Sequence, residues 1–201
     1  MRVFDQPENP METYVISVLL VALAEMGDRT QLLTVMLASR FRRPVPILAG
    51  IAVATIANHS LAALAGFYLS AFLNTSWFQL ALALSFIAMA VWALVPDKAD
   101  EDGKPGKLRV GVFLTTAITF FLVEMGDKTQ IATAALAARF HDVPIVAAGT
   151  TTGMMLANIP AVFLGHNVTK VLPISALRIG AAAVYLILGL WGVAAALGWV
   201  H

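Results

Sequence analysis

Cysteine is absent from the sequence, which excludes disulfides and thiolate metal sites but leaves the redox compartment open. Charge is also scarce. Asp, Glu, Lys and Arg make up 12% of the chain, whereas a soluble domain carries about 25%. That is too little polar surface to cover a water-exposed globule, so a membrane protein is the expected class. The net charge of +1, with no basic cluster beyond short loops, offers no nucleic-acid surface. No phosphate-binding Gly-rich motif is present to indicate use of ATP. Residues Met1 to Glu12 hold one Arg, three acids and two prolines. They lack the basic start and short apolar core of a cleavable signal, so they are expected to be mature protein.

What the chain does have is apolar length: 59% hydrophobic residues and a mean hydropathy of +0.81. A bilayer core of roughly 30 Å needs about 20 mainly apolar residues in a helix. Six stretches qualify: Tyr14 to Ala38, Val45 to Phe72, Trp77 to Val95, Val110 to Ala138, Pro144 to Gly165 and Ile174 to Val200. Arg40, Arg42, Arg43 and Pro44 end the first, and Asn74-Thr75-Ser76 parts the second from the third. A polar loop runs from Pro96 to Lys107, Arg139, His141 and Asp142 precede Pro144, and Pro173 opens the last. The expected fold is therefore an all-α membrane protein with six transmembrane helices.

The loop charges orient it. One side of such a chain carries only Arg2 and Arg139, while the other carries Arg40, Arg42, Arg43, Lys98, Lys104, Lys107, Arg109, Lys170 and Arg178. The positive-inside rule then places the central loop in the cytoplasm and both termini outside. Arg29 and Lys128 are left within the membrane.

The segment Glu25-Met26-Gly27-Asp28-Arg29-Thr30-Gln31 recurs 99 residues later as Glu124-Met125-Gly126-Asp127-Lys128-Thr129-Gln130. Ala38, Arg40 and Phe41 meet Ala137, Arg139 and Phe140 at that spacing, as do Gly50 and Gly149, and Trp92 and Trp191. Ala57-Asn58 meets Ala157-Asn158 after a one-residue shift. The chain thus divides into a first three-helix repeat over 1–95, a cytoplasmic polar linker over 96–109 and a second repeat over 110–201. Three is odd, so the second repeat must enter the membrane upside down. Inverted repeats of this kind place a transporter's substrate site near the midplane, between the copies.

Each motif falls in the middle of its apolar stretch. An Asp, Lys or Arg there costs about 2.5–3.5 kcal/mol on insertion scales, so these groups must face one another or a hydrated cavity. On an uninterrupted helix Glu25 and Asp28 are neighbours, with Gln31 one turn further; Glu124, Asp127 and Gln130 repeat the arrangement. Packing the two helices together gathers four carboxylates and two amides, hard oxygen ligands suited to Ca2+, Mg2+ or Mn2+ rather than zinc or copper. With Arg29 and Lys128 the formal sum is −2, the charge one divalent cation neutralises. The pairs Glu25–Arg29 and Glu124–Lys128 could simply neutralise each other along a helix, but that leaves Asp28 and Asp127 unexplained.

The remaining polar and small residues each have two readings. Gly27 and Gly126 can serve close helix packing or a local break that frees carbonyls. Asn58 and Asn158 can tie helices together or support the ion. His59, whose shifted counterpart is Ile159, reads as a satisfied bundle histidine, and Met26 and Met125 as packing.

The doubled Glu-x-Gly-Asp-Lys/Arg-Thr signature, present as Glu25 to Thr30 and Glu124 to Thr129, resembles that of the Golgi, thylakoid and bacterial Mn2+/Ca2+ transporter family, once called uncharacterised protein family sixteen. The resemblance covers essentially the whole chain. It implies secondary transport of Mn2+ or Ca2+ in exchange for protons, with no prosthetic group. Cation binding would fall to Glu25, Asp28, Glu124 and Asp127, with Thr30 and Thr129 in support. The short central loop fits a bacterial inner-membrane member. Burial disfavours an ionised carboxyl and a nearby cation favours it, so an empty site tends to hold protons that an incoming metal displaces. In a bacterial inner membrane that coupling drives Mn2+ outward. Two rivals belong to other classes. An intramembrane lipid-pyrophosphate phosphatase would need a Ser- and Arg-rich phosphate cradle, and an exporter of amino acids or small cations could share the three-plus-three plan. The sequence leaves open the choice between Mn2+ and Ca2+, the stoichiometry, and whether the chain is a monomer or a homo-oligomer.

Overall fold

Long apolar runs free of breakers become long helices in the computed structural model, which describes residues 9–72, 76–95, 111–164 and 174–199. The linker expected over 96–109 lies outside them, as do Asn74, Thr75 and Pro173. The described residues form eight helices and no strand: α1 (Pro10–Glu25), α2 (Arg29–Phe41), α3 (Pro44–Phe72), α4 (Ser76–Leu94), α5 (Val112–Glu124), α6 (Lys128–Phe140), α7 (Val143–Leu164) and α8 (Ile174–Ala196). Prolines 10 and 44 sit at helix starts, where the missing N–H loses no bond. The Asn9 side chain accepts from the Met11 N–H at 3.0 Å to cap α1.

Four of the expected spans stand as single helices, α3, α4, α7 and α8, within a residue or two of the sequence boundaries except at the end of α8. The first and fourth do not. Each is broken at its motif, and α1 and α2 meet at 72°. α5 has 13 residues, about 20 Å at the usual rise, and is too short to cross a bilayer unaided. Among the described residues, four helices are long and apolar enough to cross, or five if α1 and α2 count as one bent span. The protein is an integral membrane protein.

The spacing of 99 holds element by element. α2 and α6 both end in left-handed caps, Arg42 (φ 51°) and His141 (φ 55°), whose N–H groups donate to Ala38 O and Ala137 O. Gly50 brings α3 so close to α5 that a Cβ would lie 2.8 Å from Phe113 O and from Thr116 Cβ. Gly149 brings α7 equally close to α1, with 2.7 Å to Ser17 Cβ and 2.9 Å to Tyr14 O. Each contact is the other moved by one repeat. Small residues let membrane helices approach where no hydrophobic force drives them together. The two halves interlock: α1 packs on α7, α5 on α3, α3 on α7 and α4 on α8. One buried core joins Leu20, Leu37, Ile47, Phe86, Phe120, Leu136, Met154 and Tyr185, one side chain from each helix.

Candidate metal centre

The motif residues build the break themselves. Met26 has φ −65° and ψ 116°, Gly27 has φ 83°, and the Asp28 N–H donates to Glu25 O at 3.0 Å. Those are the dihedrals of a type II turn, which needs a positive φ at its third residue and so favours glycine. The second copy repeats it, with Met125 at −61° and 120°, Gly126 at 78°, and Asp127 N–H to Glu124 O at 3.1 Å. Glycine therefore serves the break here and not close packing; a Cβ on Gly126 would meet nothing within 4 Å. The glutamine four residues on completes the turn. Gln31 Oε1 accepts from Gly27 N–H at 2.9 Å, and Gln130 Oε1 from Gly126 N–H at 2.6 Å.

The breaks bring the acids together across the halves. Glu25, Glu124 and Asp127 each place one carboxylate oxygen within 4.8 Å of the others, and all three are buried. Glu25 ends α1 and Glu124 ends α5, so the carbonyl-rich, negative ends of both half-helices point at the cluster, which favours a cation. Asp127 stands at the N-cap of α6. Asp28, at the N-cap of α2, is buried too but lies outside this group of three. Thr129, in the first turn of α6, is buried as well.

The basic residues reach sideways. Arg29 crosses to the other half, where its Nη2 donates to Val123 O at 3.2 Å and meets Asp127 Oδ1 at 3.5 Å. Lys128 Nζ lies 5.6 Å from the centroid of the Trp92 ring on α4, a cation–π contact. Thr30 is buried, and its hydroxyl has no hydrogen-bond partner among the described residues.

The asparagines tie helices. Asn158 Oδ1 accepts from Thr34 Oγ1 at 2.6 Å, joining α7 to α2, and its Nδ2 donates to Met154 O at 3.0 Å. Gln31 Nε2 adds a bond from α2 to Ala157 O at 3.0 Å. Asn58 Nδ2 donates to Phe121 O at 3.0 Å, joining α3 to α5. His59 is buried with neither ring nitrogen bonded among the described residues, so the expected satisfied histidine is not found. Because α3 and α7 keep the spacing set by Gly50 and Gly149, His59 occupies the place of Asn158, and not of Ile159.

A cleft leads to Asp28. Its walls include Gly27, Trp92 and Ala93 near the end of α4, Lys128, and Arg178 and Tyr185 on α8. Tyr185 was missed by the sequence reading because it stands outside the motif. The signal available was its repeat mate, Phe86, which lacks the hydroxyl.

The model of one family, described as divalent cation/proton antiporter GDT1, matches this chain twice, over residues 13–101 and 112–199. A Vibrio cholerae serotype O1 protein named "Putative manganese exporter" is 44% identical over 184 residues, covering 91% of each chain. A GDT1-like protein of Synechocystis sp. is 29% identical over 178 residues, covering 79% of this chain and 85% of that one. No solved structure matches.

Proposed function

This chain belongs to the divalent cation/proton antiporter GDT1 family, a family of transporters and not of enzymes, and from that premise we propose that it exports Mn2+ from the cytoplasm in exchange for protons. The observation that carries the reading is the buried convergence of Glu25, Glu124 and Asp127 within 4.8 Å, drawn from both motifs. Three carboxylates this close repel one another unless protons or a cation sit among them. A divalent metal and protons then compete for the same oxygens, and that competition is antiport chemistry. The same hard oxygens accept Ca2+.

In this reading Glu25, Glu124 and Asp127 hold the ion, and Asp28 receives it from the cleft. Gln31 and Gln130 have their amide oxygens engaged by Gly27 and Gly126, so they hold the turns instead of ligating. Thr30 and Thr129 line the site, Arg29 and Lys128 balance its charge, and Asn58 and Asn158 fix the surrounding helices. Each broken pair counts as one span, giving six spans in two inverted repeats with both termini outside an inner membrane. The exposed Trp77 and Trp199, at 80% and 77%, suit an aromatic belt on one face. The cleft wall uses the end of α4 and the start of α8, which the loop charges assign to the cytoplasm, so this form is cytoplasm-facing. Proteoliposomes with an imposed pH gradient test the proposal. Mn2+ flux should follow the gradient and vanish in Asp127→Asn; wild-type rates in that variant would remove the site assignment.

A further inference from the structure

We infer that the Tyr185 hydroxyl is a specificity-determining contact of the transported ion, a neutral oxygen that meets the divalent cation between the cleft at Asp28 and the three buried carboxylates. The inference rests on the transport reading above and deepens it. Three observations support it. Tyr185 is 2% exposed and its hydroxyl has no hydrogen-bond partner among the described residues. The helix that carries it, α8, packs on α1, whose last residue is Glu25. The ring also lines the cleft that reaches Asp28.

A tyrosine used only to fill space would not need its oxygen. The molecule itself supplies the comparison: at the same place in the first half stands Phe86, 1% exposed, which fills the core with a bare ring. An orphaned hydroxyl in a buried place is costly, and beside a cluster of carboxylates it has a use. With a cation present its lone pairs can face the metal. Three carboxylates that each give one oxygen fall short of the six ligands that Mg2+-like ions take and the six to eight of Ca2+. A neutral oxygen raises the coordination number without adding charge. It therefore bears on the choice between ions of different size more than on the charge that binds them.

The test compares wild type and Tyr185→Phe in proteoliposomes under one pH gradient, measuring KM and maximal rate for Mn2+ and for Ca2+. The expected result is a KM for Mn2+ raised roughly tenfold, a maximal rate within about twofold, and a changed Mn2+ to Ca2+ preference. A purely packing role would leave KM and preference alone. Flux in wild type with unchanged KM and preference in Tyr185→Phe overturns the role of Tyr185 only. Absence of flux in wild type overturns the transport reading and this one with it. A second measurement leaves the native fold untouched. The chain has three tyrosines, so with 3-fluorotyrosine incorporated, paramagnetic Mn2+ should broaden the Tyr185 fluorine resonance before those of Tyr14 and Tyr68. Broadening in any other order overturns the assignment.

Discussion

Replacing Gly126 with alanine isolates the contribution of the turn. A Cβ there meets no atom within 4 Å, so the substitution creates no clash with a neighbour. The whole effect comes from φ at 78°, where an L residue is strained by about 1–2 kcal/mol. The chain can escape the strain by converting to a type I turn, which takes ψ of residue 125 from 120° to about −30°. That flips the peptide joining Met125 to residue 126 and turns its N–H away from Gln130 Oε1, now 2.6 Å distant. The escape therefore forfeits a hydrogen bond of about 1 kcal/mol. By either route Gly126→Ala should lower the apparent melting temperature in detergent by a few degrees. It should also shift Glu124 against Asp127, raising KM for Mn2+ by about 5- to 30-fold. Gly126→Asn, which tolerates positive φ better, should fall between alanine and wild type. Wild-type melting and KM in Gly126→Ala would refute the argument that this turn positions the acids.

Two further outcomes follow from the same structure. Mn2+ at 100 times its Kd should stabilise the folded protein by about 2.7 kcal/mol, seen as a rise in melting temperature that weakens as pH falls and protons claim the carboxylates; Glu124→Gln should remove most of it, and an equal rise in that variant would exclude Glu124 as a ligand. Gly153→Ala should be more damaging than Gly126→Ala, because its Cβ would lie 2.5 Å from Val18 O and 2.9 Å from Ala22 N, and forcing α7 from α1 costs about 1–3 kcal/mol or more; comparable expression and melting of the two variants would contradict that close approach.

Membrane class, two-fold repetition and the ends of the long helices were legible in the residues alone, as was the mid-span place of the paired acids. These are local quantities: apolar length sets a span, and a motif repeated at constant spacing needs no coordinates to be seen. The sequence also held the residue the break needs, since a type II turn favours Gly at its third position, but a bilayer-long apolar run argues for continuity more loudly than one glycine argues against it. Which oxygens meet depends on how the two halves pack. Asp28 and Asp127 are equivalent in sequence, yet only Asp127 joins Glu25 and Glu124 within 4.8 Å. Arg29 and Lys128 both cross to the other half, Arg29 to Asp127 and Lys128 to the Trp92 ring. Two copies of one motif, packed together in a single arrangement, cannot have identical surroundings unless the symmetry is perfect, and here it is not. The same reason kept Tyr185 hidden: it belongs to no motif, and it lines the cleft at Asp28 only because α8 is folded against α1 and α4.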